Sequence, residues 1–155
     1  MKRILISIPV LLTIILSFYV LFHFVFIGDE TRIQRQIEKG RIAVEKENLF
    51  GLAGLISDKY RGSVGAEKSE LLGYVHQLFQ MSDNIKIKIH SIEIHVDNAE
   101  AEVVVQFSMT GTLDGNDFSG VWSGDTEQIG LRFLKENGAW RVVEVTEPAR
   151  MRSRP

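Results

Sequence analysis

The chain of 155 residues contains no cysteine. Disulfides, thiolate metal sites, a cysteine nucleophile and a lipid-modified cysteine are excluded together. The compartment stays open, because an oxidising space does not require disulfides. An excess of positive charge is also lacking: 18 Lys and Arg stand against 20 Asp and Glu, a formal net charge of -2. Lys2 and Arg3 precede the first apolar run, so the remainder is more acidic still, and nothing in it reads as a nucleic-acid groove. There is no internal repeat, no low-complexity linker and no break in composition that marks a second folded domain. With 45% hydrophobic and 25% charged residues, the chain has the composition of a globular domain with an appendage.

The appendage is the stretch "ILISIPVLLTIILSFYVLFHFVFI", residues 4–27, which carries no formal charge. As a helix it would extend about 36 Å, enough for a hydrocarbon core of ~30 Å with some tilt. A cleaved secretory signal ends in small residues. This run ends in "FHFVFIGDE", where bulky side chains dominate, so an uncleaved anchor over residues 1–28 is expected. Lys2 and Arg3 favour a cytoplasmic N-terminus and a domain outside the cytoplasm, against which Arg32, Arg35 and Lys39 argue. The expected location is the cell membrane, crossed once. Tyr19 and His23 fall in the outer half of the run, where amphipathic rings reach the interface. Pro9 kinks such a helix without ending it.

Helical periodicity follows. Ile33, Ile37 and Val44 form a sparse stripe with Gly40 on the same side, a helix over residues 29–45 that either links anchor to domain or opens the domain. "ENLFGLAGLIS" places Leu49, Leu52, Ala53 and Ile56 on one face. Its glycines, Gly51 and Gly54, each cost about 1 kcal/mol in a helix interior, so close packing or a break is expected there. "SELLGYVHQLF" is a third helix, with Leu71, Leu72, Val75, Leu78 and Phe79 at helical spacing.

From residue 85 the period becomes two, and "IKIKIHSIEIHV" loses step. Ile85, Ile87 and Ile89 lie at odd positions, Ile92, Ile94 and Val96 at even ones. A regular strand would expose half of them. One extra residue near His90-Ser91, a β-bulge, returns all of them to one face. With Asp97-Asn98 as the turn, the register is Ile94 to Ala101, Ile92 to Val103, Ile89 to Val105, Ile87 to Phe107 and Ile85 to Met109. A turn over residues 114–117 ("DGND") then sets Met109 against Trp122. A second slip within "SGDTEQ" brings Ile129 to Val103 and Leu131 to Ala101, and Asn137-Gly138 opens the last hairpin. On the last strand Trp140 and Val142 share one face, Val143 and Val145 the other. Both sets cannot point inward, so one is expected to meet a covering element or a partner.

Helices first, then long bulged antiparallel strands, with "EKENLFGLAGLISDKYRG", "AEVVVQFSMTG" and a closing hairpin "LKENGAWRVVEV", resemble the nuclear transport factor 2-like superfamily of cystatin-like α+β cones. The likeness spans roughly residues 38–147. It implies about three helices packed on a strongly curved, bulged four-stranded antiparallel sheet. The domain would then occupy residues 29–147, before a basic tail over residues 148–155. Enzymes of that superfamily carry an Asp, His or Tyr in the cone, and other members are transport factors or membrane-anchored scaffold subunits. Fold alone therefore leaves function open.

The candidates for acid-base work are Asp58, Tyr60, Tyr74 and His76. The plain alternatives are that Asp58 ends a helix, Tyr60 packs over the core with its hydroxyl in water, and His76 is solvated. The expected inward face of the sheet contains no acid or base. Its ligand-facing residues are Ile87, Ile89, Val105, Phe107, Met109, Trp122, Leu131 and Phe133, with Ile85, Ile92, Ile94, Val103 and Ile129 beside them. His90 and His95 lack a neighbour at ligand spacing, so neither metal nor cofactor is expected. His95 should face Glu100 on the outer surface. Arg150, Arg152 and Arg154 read as a solvated tail or a contact to anionic lipid. The expectation is a membrane-anchored binding or scaffold domain holding a partner protein or a small apolar ligand in or on its cone. A homodimer through the sheet is one form of such partnership, and a membrane-tethered isomerase or cyclase is the alternative.

Overall fold

The computed structural model describes residues 28–62, 66–113, 116–119 and 127–146. The apolar run of residues 4–27, Trp122 and the basic tail lie outside them. No helix among the described residues is long and apolar enough to cross a membrane.

Helix α1 spans Asp29–Glu45 and turns Ile33, Ile37 and Ala43 into the core. The sequence stripe named Val44 in the third place; Val44 is half-buried and Ala43 takes the inward position. Asp29 and Glu30 occupy the first turn, where the helix dipole favours negative charge. Asn48 then caps the short α2, Leu49–Ala53, accepting the Gly51 N–H through Oδ1 at 2.9 Å. A Cβ on Gly51 would stand 2.9 Å from the Asn48 amide nitrogen, so a larger residue there would push the capping side chain aside. Helix α3, Lys68–Met81, buries only Leu71 fully.

The sheet contains β1 (Ser82–Asp97), β2 (Glu100–Leu113), the short β3 (Asn116–Ser119), β4 (Glu127–Glu136) and β5 (Ala139–Thr146). Strands β1, β2, β4 and β5 lie in that order, all pairs antiparallel, and β3 lies along the far end of β2. The slip in β1 is a bulge: Ile89 pairs with Phe107 and Ser91 with Gln106, leaving His90 as the extra residue. A second irregularity, absent from the sequence reading, falls between Asp83 and Lys86, where Asn84 adopts a positive φ of 55°.

The register is displaced by two residues from the expected one. Ile94 pairs with Val103 and Ile92 with Val105, because Asp97 still pairs with Glu100 and the turn is Asn98-Ala99, with Asn98 at φ 54°. The β2–β4 pairing shows the same displacement, Val105 to Ile129, Val103 to Leu131 and Ala101 to Phe133. A displacement of two keeps every side chain on its face. The resulting rows are Ile92-Val105-Ile129, Ile94-Val103-Leu131 and Val96-Ala101-Phe133. The turn expected over residues 114–117 is shorter, since Leu113 pairs with Asn116 and Thr112 with Asp117. Asn137 and Gly138, at φ 49° and 81°, make the two-residue hairpin turn that their sequence signals.

Strand β5 resolves its two apolar sets by a further bulge. Phe133 pairs with Val142 and Arg132 with Glu144, so Val143 is extra. Trp140, Val142 and Val145 thereby share the core face, and Glu144 meets Arg132 outside at 2.7 Å. Among the described residues the two apolar sets of β5 are thus brought to one face, with Val143 as the inserted residue. The free edge of β5 is covered by the segment after α2. The Val142 N–H donates to the Leu55 carbonyl, and the Ser57 and Arg61 N–H groups donate to the carbonyls of Val142 and Val143.

Two apolar clusters result. One joins Ile33 and Ile37 of α1 to Ala101, Val103, Val105, Phe133 and Trp140. The other joins Ile56, Tyr60 and Leu71, and Val142 packs against both.

Candidate functional site

The concave face is apolar, as the strand phases require. Val105, Met109 and Phe133 are buried, and Ile89, Phe107 and Leu131 are partly buried against the α1 cluster. Ile87 is half-buried, and its N–H donates to Glu45 Oε1 at 2.8 Å, which pins the end of α1 to β1. That bond, more than the adjoining Arg41, holds the Glu45 carboxyl below its usual range. On α1, Gln36 shares the face of Ile33 and Gly40 by helical spacing, and its Oε1 is buried without a hydrogen-bond partner. The sequence reading did not single it out.

The candidate acid-base residues are dispersed. Asp58 is 95% exposed and accepts from Lys68 Nζ at 2.7 Å, and that hydrogen bond lowers its pKa. Tyr60 has no exposed surface, and its hydroxyl shares a hydrogen bond with the Val145 backbone. The expectation of a wet hydroxyl is therefore corrected. Burial pushes the phenol upward, and Gly62 closes over it so tightly that a Cβ there would clash with the hydroxyl. Tyr74 is exposed on α3, and His76 on the same helix contacts Gln80 at 3.1 Å. His90 lies 3.0 Å from Ser108 Oγ, and His95 pairs across with Glu102 instead of Glu100, which follows from the displaced register. Among the described residues no three His, Asp or Glu side chains cluster to hold a metal.

The structure assembles a different polar site. A groove of about 610 Å³ runs between Ala53, Gly54, Ser57, Lys59 and Lys68 on one side and the β4–β5 hairpin, with Lys135, Glu136 and Arg141, on the other. Ser57 anchors its floor. Fully buried, its Oγ donates to the Glu136 carboxylate at 3.0 Å and accepts the Lys59 N–H at 3.0 Å. Lys59 Nζ stands 3.4 Å from Glu136, and Arg141 donates to the Gly54 carbonyl at 2.9 Å. Lys68 reaches from the start of α3 to the Ile56 carbonyl at 2.9 Å.

Beside the groove lies a lock that sequence reasoning missed. Asp29, the first residue of α1, accepts from Lys135 Nζ at 2.9 Å and from Trp140 Nε1 at 3.0 Å. These bonds hold its carboxyl below the ordinary range, Lys135 first. Lys135 also lies over the Trp140 ring, 5.5 Å from its centroid. The signal available in the sequence was Trp140 itself, because a buried indole N–H needs an acceptor.

Among solved structures, the chain is similar to proteins of one fold class. A nuclear transport factor 2-like superfamily protein from Salmonella enterica serovar Typhimurium aligns with a TM-score of 0.63 at 16% identity, over 74% of this chain and 86% of that one. A presumed dehydratase of the same family from Streptomyces avermitilis aligns with a TM-score of 0.65 at 10% identity, over 76% and 92%. A presumed aromatic ring hydroxylase from Novosphingobium aromaticivorans reaches 0.69 at 8% identity, over 77% and 87%. Identities this low show the fold alone, a nuclear transport factor 2-like α+β cone. No family model and no curated protein matches the sequence.

Proposed function

We propose that this chain is a single-pass membrane protein whose nuclear transport factor 2-like domain lies outside the cytoplasm and binds a small apolar ligand on its concave face. The observation that supports the reading is the separation of titratable side chains from the apolar face of the sheet. Asp58 is at the surface in an ion pair, the Tyr60 hydroxyl is sealed against backbone, and Tyr74 points to solvent, while the concave residues are apolar. General acid-base work needs a titratable group within reach of the substrate, and binding does not. The uncharged residues 4–27 and the positive Lys2-Arg3 pair support the anchor and its orientation.

A second reading, capture of a partner protein, draws on α3. Tyr74, Leu78 and Met81, at i, i+4 and i+7, are 58%, 38% and 49% exposed along one helical face. The fold also hosts presumed dehydratases and hydroxylases, so an isomerase- or cyclase-type activity is the rival.

An alkaline phosphatase fused after Pro155 should be active, and the fusion should stay in the membrane fraction at high salt. An inactive fusion defeats the orientation, and release by salt defeats the anchor. Separately, apolar fluorescent probes should bind residues 29–155. Phe107→Asp should abolish that binding, with folding checked by circular dichroism because the substitution places a charge against the core. Turnover of a small carbonyl substrate that is lost in Tyr74→Phe or Asp58→Asn would favour the enzyme instead.

A further inference from the structure

We propose that the groove lined by Lys59, Lys68, Lys135 and Arg141 binds a phosphate-bearing anion at the level of the lipid headgroups. The inference rests on the anchor reading for its position, and on the groove for its chemistry. The volume, about 610 Å³, is in the range of small-ligand sites. Its lining includes four cationic side chains against two carboxylates, Asp58 and Glu136, in a chain whose formal net charge is -2. Asp29 pairs with Lys135 beside the lining, so the groove keeps one positive charge in excess, within the set Lys59, Lys68 and Arg141.

The two carboxylates differ. Glu136 is 18% exposed and held by the buried Ser57 hydroxyl, so it belongs to the wall. Asp58, 95% exposed at the mouth, is the replaceable partner of Lys68. An incoming anion that takes its place meets the Lys68 ammonium, the Lys59 ammonium and the Arg141 guanidinium. Ammonium groups and a guanidinium fork lining one groove suit the several oxygens of a phosphate.

Position follows from the lock. Asp29 holds Lys135 at 2.9 Å and stands two residues beyond Ile27, the end of the apolar run. If that run crosses the bilayer, the Lys135 wall of the groove lies beside the headgroups of the leaflet that faces the domain. A phospholipid headgroup and a free phosphate share this chemistry, and the test separates them.

The full chain, reconstituted in phosphatidylcholine nanodiscs, is titrated with inorganic phosphate and with glycerol 1-phosphate. In parallel, native mass spectrometry counts phosphatidylglycerol retained by the detergent-purified chain. The double variant Lys59→Gln/Arg141→Gln should weaken binding roughly 30-fold, at about fivefold per charge. Asp58→Asn should tighten it roughly fivefold, a gain that misfolding cannot mimic. Lys86→Gln/Lys88→Gln, on the exposed face of β1, should leave it unchanged. Retained phosphatidylglycerol with glycerol phosphate binding identifies a headgroup. Binding of inorganic phosphate alone identifies a free anion, and either result upholds the groove. Equal binding in the groove and control variants, or weaker binding in Asp58→Asn, overturns it. A chain that leaves the membrane at high salt yet binds phosphate loses the anchor and keeps the groove. A membrane-held chain indifferent to every phosphate compound does the reverse.

Discussion

Removing the Asp29 carboxylate should cost the domain more than a surface charge normally does. Trp140 is 1% exposed, and its Nε1–H has Asp29 Oδ1 as acceptor at 3.0 Å. In Asp29→Ala that donor is stranded in the core, a loss of about 1–3 kcal/mol. The ion pair to Lys135 is only partly shielded, each side chain being 30% exposed, and adds about 1 kcal/mol at most. Asp29→Ala should therefore destabilise by about 3 kcal/mol. Asp29→Asn keeps an acceptor for the indole and should lose only about 1 kcal/mol. At roughly 4 °C per kcal/mol for a domain of this size, thermal melts followed by circular dichroism should fall by about 12 °C and about 4 °C. The pH dependence has a definite sign. Lys135 and Trp140 hold the folded carboxyl below its ordinary value of 3.8, so its contribution is present above that pH and lost as pH falls through the lower folded value. Wild type should shed this part of its stability below about pH 4, and Asp29→Asn should lack that part of the acid transition. Equal melts for the Ala and Asn variants, or both within 1 °C of wild type, would refute the lock.

His90 is exposed and extra to the ladder, so His90→Ala should change stability by less than about 0.5 kcal/mol in urea titrations, whereas deleting residue 90 should unfold the domain. Deletion forces Ile85, Ile87 and Ile89 toward water at roughly 1.5–3 kcal/mol each; a deletion mutant that melts like wild type would deny the bulge its purpose. Tyr60→Phe removes a buried hydroxyl bonded to the Val145 backbone and should cost about 1–2 kcal/mol by the same titration. Ser57→Ala leaves the Lys59 N–H and the Glu136 carboxylate short of a partner, and should cost about 1–3 kcal/mol, read as a lower urea midpoint at unchanged slope.

The faces of this sheet were legible in the sequence, and the register was not. Side-chain direction depends only on parity, and six isoleucines and valines out of step across His90 admit one physical remedy. Register depends on which residues turn, and Asp97-Asn98 and Asn98-Ala99 are close competitors. Ala99 carries no turn signal, so the choice fell one residue early and displaced each pairing by two. The β5 bulge was missed because Val143 and Val145 look like a second apolar face until Val143 is recognised as extra. The apolar face of the sheet followed from the same parity, whereas the groove joins residues near 57 to residues near 136, and the lock joins Asp29 to Trp140. Such pairs across long stretches of chain have no local periodicity to announce them. Only the general need of a buried indole for an acceptor pointed toward one of them.

The interruptions in β1 also bear on the edge of the sheet. Among the described residues β1 is the longest strand of the sheet and no strand lies beyond its outer edge, the arrangement most apt to template another chain and grow a fibre. A template must be flat and continuous to zip. The irregularities at Asp83/Lys86 and Ile89/Ser91 divide the edge into short segments, Glu45 occupies the Ile87 N–H, and Lys86 and Lys88 place charge between the breaks. The inserted residue that turns the isoleucines inward thus also breaks the continuity that such a template needs, so straightening β1 would expose isoleucines and lengthen the edge together.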